Sequence, residues 1–241
     1  MAHFGIHSLP QTIMVFNGQI ELLAAMSPGT SNNHTGGRAV TAAGIVSEVA
    51  DPEVPTTAAP KNVEHVLGEI DALVTVIEFG DYECPYCAGA APVLRELVSS
   101  SGGQVRLVFR NFPLFEVHPH ALTAALAAES TADTGGEKVF WVMHQKLFVH
   151  QARLSDVDLR LYAEAVGADP RLAVGEPAQK YAPIVQADYA MGIAAGVSGT
   201  PALFIDGVAY EGRVDVPSLQ HATGQSARGD SPARRRPWQR R

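Results

Sequence analysis

The sequence predicts an α/β fold with a helical subdomain embedded in it. Three observations carry that expectation. Two β-favouring runs, residues 74–79 and 104–110, flank helix-compatible sequence about fifteen residues long. The stretch from Pro119 to Gly196 turns Ala- and Leu-rich, with apolar residues at helical spacing. Beyond it, two short β-favouring segments surround an Asp-Gly pair, and one more helical segment follows.

Residues 1–60 read as an N-terminal extension. Ser27-Pro28-Gly29-Thr30-Ser31-Asn32-Asn33 has linker composition, and Pro52, Pro55 and Pro60 punctuate the residues beyond it, so the segment is expected to be flexible. The compact part is expected over residues 61–224. Its first strand is Val74-Thr75-Val76-Ile77-Glu78-Phe79, and the run around it extends from Leu73 to Gly80. In the helix that follows, Pro85 suits the first turn, where no backbone donor is lost, whereas Pro92 falls inside and is expected to kink it. The second strand, residues 104–110, alternates polar and apolar side chains. A strand-helix-strand unit of this size implies parallel strands and a right-handed crossover.

The helical insert covers about residues 118–196. Leu122, Leu126 and Glu129 mark one segment. Val139, Val142, Met143, Leu147 and Phe148 give a second its apolar face, and Leu159, Leu161, Tyr162 and Val166 mark a third, capped by Ser155 or Asp156. A fourth helix is expected over residues 184–195. The turn Val197-Ser198-Gly199-Thr200-Pro201 then leads into a hairpin built around Asp206-Gly207. The final helix is expected from Asp215 or Val216 to about Ala222, and residues 225–241 read as a disordered Arg-rich tail.

The formal net charge of −7 conceals an asymmetry. Arg228, Arg234, Arg235, Arg236, Arg240 and Arg241 crowd the C-terminus beside a single acid, Asp230; without those seven residues the net charge is −12. An acidic body argues against a nucleic-acid surface on the fold. No apolar run approaches the length of about twenty residues required to span a membrane. Asn17, Gln19 and Glu21 interrupt residues 12–25, so the start lacks the form of a secretory signal and a cytoplasmic location is expected.

Cys84 and Cys87 are the two cysteines of the chain, and both lie in Cys84-Pro85-Tyr86-Cys87. No cysteine remains for a structural disulfide framework. The pair is therefore functional, metal-binding or inert. A zinc site would need further ligands, and the nearest downstream candidates, His118 and His120, lie outside the usual finger spacing; His118-Pro119-His120 reads better as a helix start. Thiol-disulfide chemistry fits the pattern, because a dithiol at a helix start sets one sulfur near free backbone N–H groups that favour thiolate. That sulfur would be Cys84.

The stretch from Glu78-Phe79-Gly80-Asp81-Tyr82-Glu83 into the dithiol, together with Gly196-Val197-Ser198-Gly199-Thr200-Pro201, resembles the DsbA-like branch of the thioredoxin superfamily. The two motifs are separated by a helical insertion of the size that branch carries. The resemblance covers residues 63–223 and implies a thioredoxin-like fold, a helical cap over the active-site edge and thiol-disulfide exchange. It implies that Cys84 is the exposed attacking cysteine, that Cys87 is the buried resolving one, and that the peptide bond before Pro201 is cis. Thr200 would present backbone groups beside the sulfurs and hold a substrate chain extended, with Pro85 and Tyr86 among its contacts. Glu78 matches a buried acid beneath the active site, which would exchange protons with Cys87.

Two positions depart from the family pattern. Its strong oxidants carry histidine between the cysteines, whereas Pro85-Tyr86 offers no cation there, so a less oxidising couple is expected. Leu73 stands where relatives often have proline. Of the neighbours, Tyr82 and Tyr86 could form an aromatic wall, with substrate contact an equal role for Tyr86; Glu83 is expected to face solvent, and Asp81 to cap the loop or lie solvated.

Protein thiols or disulfides are the expected substrates, with an electron-transfer partner that the sequence does not name and no cofactor. Two other functions compete. The domain also resembles the thioredoxin-like C-terminal portion attached to some sodium/proton antiporters, which would make it a redox-sensing or interaction module. A binding module with the fold but no turnover is the third.

Overall fold

The computed structural model describes residues 11–16, 19–24 and 64–228, so the linker composition before residue 61 and the arginines beyond Arg228 lie outside the described residues. The chain forms two units, Met1–Ala59 and Pro60–Arg241. In the first, β1 (Gln11–Phe16) and β2 (Gln19–Ala24) pair antiparallel, with Phe16 opposite Gln19. This pairing departs from the expectation of a flexible extension. Its signal is local: Asn17-Gly18, the dipeptide favoured by two-residue hairpins, lies between two β-favouring runs.

The second unit is built on a five-stranded sheet. Its strands are β3 (His65–Leu67), β4 (Val74–Gly80), β5 (Val105–Asn111), β6 (Ala202–Ile205) and β7 (Val208–Tyr210), in the order β3-β5-β4-β6-β7. The β4–β5 pair is parallel, joined by α1 (Pro85–Ser100), and the other pairs are antiparallel. β4 is therefore central. The predicted hairpin forms between β6 and β7, where Asp206 (φ 46°) and Gly207 (φ 85°) both adopt the positive φ that a tight primed turn requires.

Alternation along β4 divides the core. Val74 and Val76 pack with Ala90, Leu94 and Leu97 of α1 and with Leu219 of α5 (Val216–Arg228). Phe79 faces the other way, into Phe112, Val197 and Phe204. Glu78 shares the parity of Val74 and Val76. It therefore points to the face that α1 covers.

The insert contains α2 (Ala121–Val149), α3 (Asp156–Ala165), a 3-10 turn (Glu176–Tyr181) and α4 (Ala182–Ala194). The first two predicted segments join end to end as α2, interrupted at Gly136 (φ 74°, ψ −175°). Ser155 caps α3 by accepting the Asp158 N–H at 3.3 Å. A second and larger core gathers α2, α3 and α4 around Phe140, Met143, Leu147, Leu159 and Val185.

Other boundaries differ from expectation. Val142 and Leu161, assigned to apolar faces, are exposed. Pro92 lies within a helix that continues from Pro85 to Ser100. The last helix runs to Arg228 rather than stopping near Ala222, so residues 225–228, read as the start of a disordered tail, are helical. Here the anchor is tertiary: Ser226 Oγ donates to the carboxylate of Asp206 in the hairpin turn.

Candidate dithiol site

The loop between β4 and α1 is held from below. Gly80 ends the strand against Phe109, whose Cε2 would lie 2.5 Å from any Cβ there. Asp81 follows and is buried, with its carboxylate accepting the N–H of Glu83 (2.7 Å), the N–H of Leu114 (2.8 Å) and a bond with Nδ1 of His118 (2.8 Å). Its carbonyl accepts the Cys84 N–H at 3.1 Å, and its own N–H points at Cys87 Sγ at 3.5 Å. Asp81 thus organises the loop rather than lying solvated.

Cys84 is the N-cap residue of α1, with Pro85 at the first helical position. The two cysteines are free and lie 3.8 Å apart. As a thiol, Cys84 donates to the Thr200 carbonyl oxygen at 3.3 Å, and the Thr200–Pro201 peptide bond is cis. The Cys84 thiol is pushed down to about 5: hydrogen bonding from Cys87 is the largest cause, burial opposes it, and Thr200 and the backbone N–H groups of Cys87 and Tyr86 assist. Cys87 moves the opposite way. Its bond to Cys84 pushes it up, and burial and the charge of Glu78 push further.

Glu78 is completely buried, and neither of its carboxylate oxygens has a hydrogen-bond partner. Burial, followed by the negative charge of Cys84, pushes its pKa up to about 8. The acid is therefore largely protonated at neutral pH while Cys84 is ionised. One charge occupies the pocket rather than two.

The structure brings together Glu78, Cys84, Cys87, Thr200 and Pro201 from three segments distant in sequence. It separates Tyr86, which is 77% exposed and stands away from the core, from Tyr82, which is buried against Phe109 and Phe148. Glu83 is half-buried, and its Oε2 accepts the His120 N–H at 2.6 Å. The exposure expected of Cys84 is not found: the residue is 3% exposed. Thr200 lies against its sulfur, and Gln151 clasps its backbone by donating from Nε2 to the carbonyls of Tyr82 (2.9 Å) and Cys84 (2.7 Å).

Three residues that sequence reasoning did not place at the site reach it through the insert and the loop before it. Gln151 carries no local signal. His144, buried and held neutral by that burial, lies 3.2 Å from the Tyr82 hydroxyl. His118 was legible only as a metal ligand or a helix start. Among the described residues, no cluster of three or more His, Cys, Asp or Glu is placed to hold a metal ion.

The family profile described as Thioredoxin matches residues 61–223. Among curated proteins, Na(+)/H(+) antiporter NhaA 1 of Salinispora arenicola is 36% identical over 187 residues, covering 77% of this chain and 28% of that protein. Na(+)/H(+) antiporter NhaA 3 of Salinispora tropica is 39% identical over 160 residues, covering 66% and 24%. The match thus spans about a quarter of the length of these relatives. Among solved structures, oxidised BdbD of Bacillus subtilis aligns with a TM-score of 0.60 at 24% identity, over 69% of this chain and 94% of that one. A thioredoxin-like oxidoreductase of Silicibacter pomeroyi aligns at 0.57 and 29% identity, over 68% and 92%. The catalytic domain of Proteus mirabilis ScsC aligns at 0.61 and 21%, over 70% and 92%.

Proposed function

This chain belongs to the thioredoxin family and has the DsbA-like form of its fold, and on that premise we propose that it is a thiol-disulfide oxidoreductase acting on protein thiols or disulfides through Cys84 and Cys87. The opposed protonation of two adjacent sulfurs carries this reading: Cys84 is pushed down to about 5 while its neighbour is pushed up.

In the reducing direction, the Cys84 thiolate attacks one sulfur of a substrate disulfide. A mixed disulfide forms, and the first substrate sulfur leaves with the electron pair and takes up a proton. Capture of Cys84 removes its negative charge from the pocket, and with it one of the causes that hold Glu78 protonated. It also removes the thiolate bond that holds the proton on Cys87. Glu78 then gives up its proton and accepts that of Cys87, whose thiolate attacks Cys84 Sγ. The second substrate sulfur leaves, and two electrons have passed from the dithiol to the substrate. Oxidation of a substrate is the same sequence reversed.

Wild-type protein should reduce insulin disulfides with dithiothreitol as electron source, and Cys84→Ser should not. Indistinguishable rates would reject turnover and leave a binding module. The reduction potential assigns direction: a value near about −270 mV makes it a reductant, one near about −120 mV an oxidant. A cytoplasmic setting would favour reduction.

The antiporter names of the curated relatives favour a second reading, a redox-sensing or interaction module from the thioredoxin-like part of an antiporter fusion. Among the described residues, no helix is long and apolar enough to cross a membrane. Apolar segments of about twenty residues in the coding sequence upstream would support this reading.

A further inference from the structure

Pro85-Tyr86 places no cation inside the dithiol loop, yet a histidine reaches the same loop from another segment. Nδ1 of His118 lies 2.8 Å from Oδ2 of Asp81, and Asp81 is the residue on which the loop is folded. That one carboxylate receives the N–H of Glu83 through Oδ1 and the N–H of Leu114 through Oδ2. The Asp81 backbone meets both cysteines, its carbonyl at the N–H of Cys84 and its N–H at the sulfur of Cys87. His118 is 20% exposed, so protons from solvent reach a ring whose partner is wholly buried.

We propose that His118, gripped by Asp81, is a positioning residue for dithiol exchange: its imidazolium fixes the Asp81 carboxylate under the Cys84–Cys87 turn and stabilises the Cys84 thiolate from outside the loop. This deepens the exchange reaction proposed above and rests on it. The ring touches Asp81, and the groups whose charges act on it are Asp81, Cys84 and Glu83, all negative when ionised. Burial works against the charge on His118, but these three groups together hold its pKa above the ordinary value. The interaction is reciprocal. A cation that is stabilised by the thiolate stabilises the thiolate to the same extent. Loss of the His118 proton would leave the buried Asp81 carboxylate without its countercharge and weaken the thiolate as pH rises through the raised His118 pKa.

The test uses the full chain in its reduced form, with Cys84 ionisation followed by thiolate absorbance and by the pH profile of its alkylation by iodoacetamide. His118→Asn retains a donor for Asp81 and removes the charge, while His118→Lys restores a cation. The thiolate midpoint should rise by roughly half a unit or more in the asparagine variant and return toward wild type in the lysine variant. The equilibrium with glutathione should shift about threefold toward the disulfide form of the protein in the asparagine variant alone. Superimposable titrations of wild type and His118→Asn would overturn the proposal, as would equal displacement by both variants. If wild-type Cys84 itself has an ordinary midpoint and insulin is not reduced, the exchange reading fails first. If wild type behaves as a low-midpoint exchange enzyme and His118→Asn matches it, His118 alone is refuted.

Discussion

Replacing Glu78 with glutamine in the oxidised protein isolates the energetic cost of the buried acid. Its pKa is pushed from 4.5 to about 8, chiefly by burial. Between those values the folded chain holds a proton that the unfolded chain has released, so stability falls as pH rises. At about 1.4 kcal/mol per unit, the full displacement corresponds to about 5 kcal/mol. In the reduced protein Cys84 masks this cost. Its pKa is depressed from 9.0 to about 5, so its contribution grows with pH across nearly the same window. The disulfide removes that opposing titration and also the thiolate charge that supplies part of the Glu78 displacement. About 3 kcal/mol should then remain between pH 5 and pH 8. Urea unfolding of oxidised wild type and Glu78→Gln at both pH values measures it directly. The stability difference, variant minus wild type, should grow by about that amount at the higher pH. Other titrating groups occur in both proteins and cancel, while the fixed cost of burying an amide appears equally at both pH values. A difference independent of pH would refute the assignment of a strongly displaced Glu78, and with it the proton transfer to and from Cys87.

Two further substitutions test the surroundings. Gln151→Ala should raise the rate at which iodoacetamide modifies fully ionised Cys84 by several-fold while leaving the thiolate midpoint nearly unchanged, because the side chain clasps backbone carbonyls rather than sulfur; an unchanged rate would show that the clasp does not govern access. His65, buried between Glu129 (3.0 Å) and Glu137 (3.1 Å), has its pKa raised to about 9, since the two acids outweigh the burial that opposes them. Its stabilisation is complete below pH 6.5 and disappears as pH rises through 9, so the advantage of wild type over His65→Gln in urea should shrink by about 3 kcal/mol across that range.

The parts of the fold legible in sequence are those encoded locally. A short β-favouring run identified β4, polar–apolar alternation identified β5, and Asp206-Gly207 identified the hairpin because few other residue pairs accept two successive positive φ angles. Resemblance to the DsbA-like branch, rather than periodicity, pointed to Glu78 and to Thr200-Pro201. β3 escaped because three residues are too few to display a period, and its buried His65 reads as polar until Glu129 and Glu137 are brought beside it. The last turn of α5 escaped because Gly224, Gln225 and Ser226 look like linker; glycine in a helix costs about 1 kcal/mol, and a bond to a residue twenty positions earlier helps to offset it. At the site, the same division separates the dithiol from its supports. The cysteines announce themselves, but Gln151 and His118 act through partners 67 and 37 residues away. Neither carries a mark of that role in its own neighbourhood.

The 3% exposure of Cys84 has a protective consequence. A sulfur ionised at neutral pH is the kind that peroxide converts to sulfenic acid and beyond, and such damage follows access as closely as it follows charge. With Thr200 against the sulfur and Gln151 across the loop, the Cys84 sulfur is shielded from bulk oxidant. In the exchange proposed above, a partner that displaces this cover by docking would gain an access to Cys84 that bulk oxidant lacks.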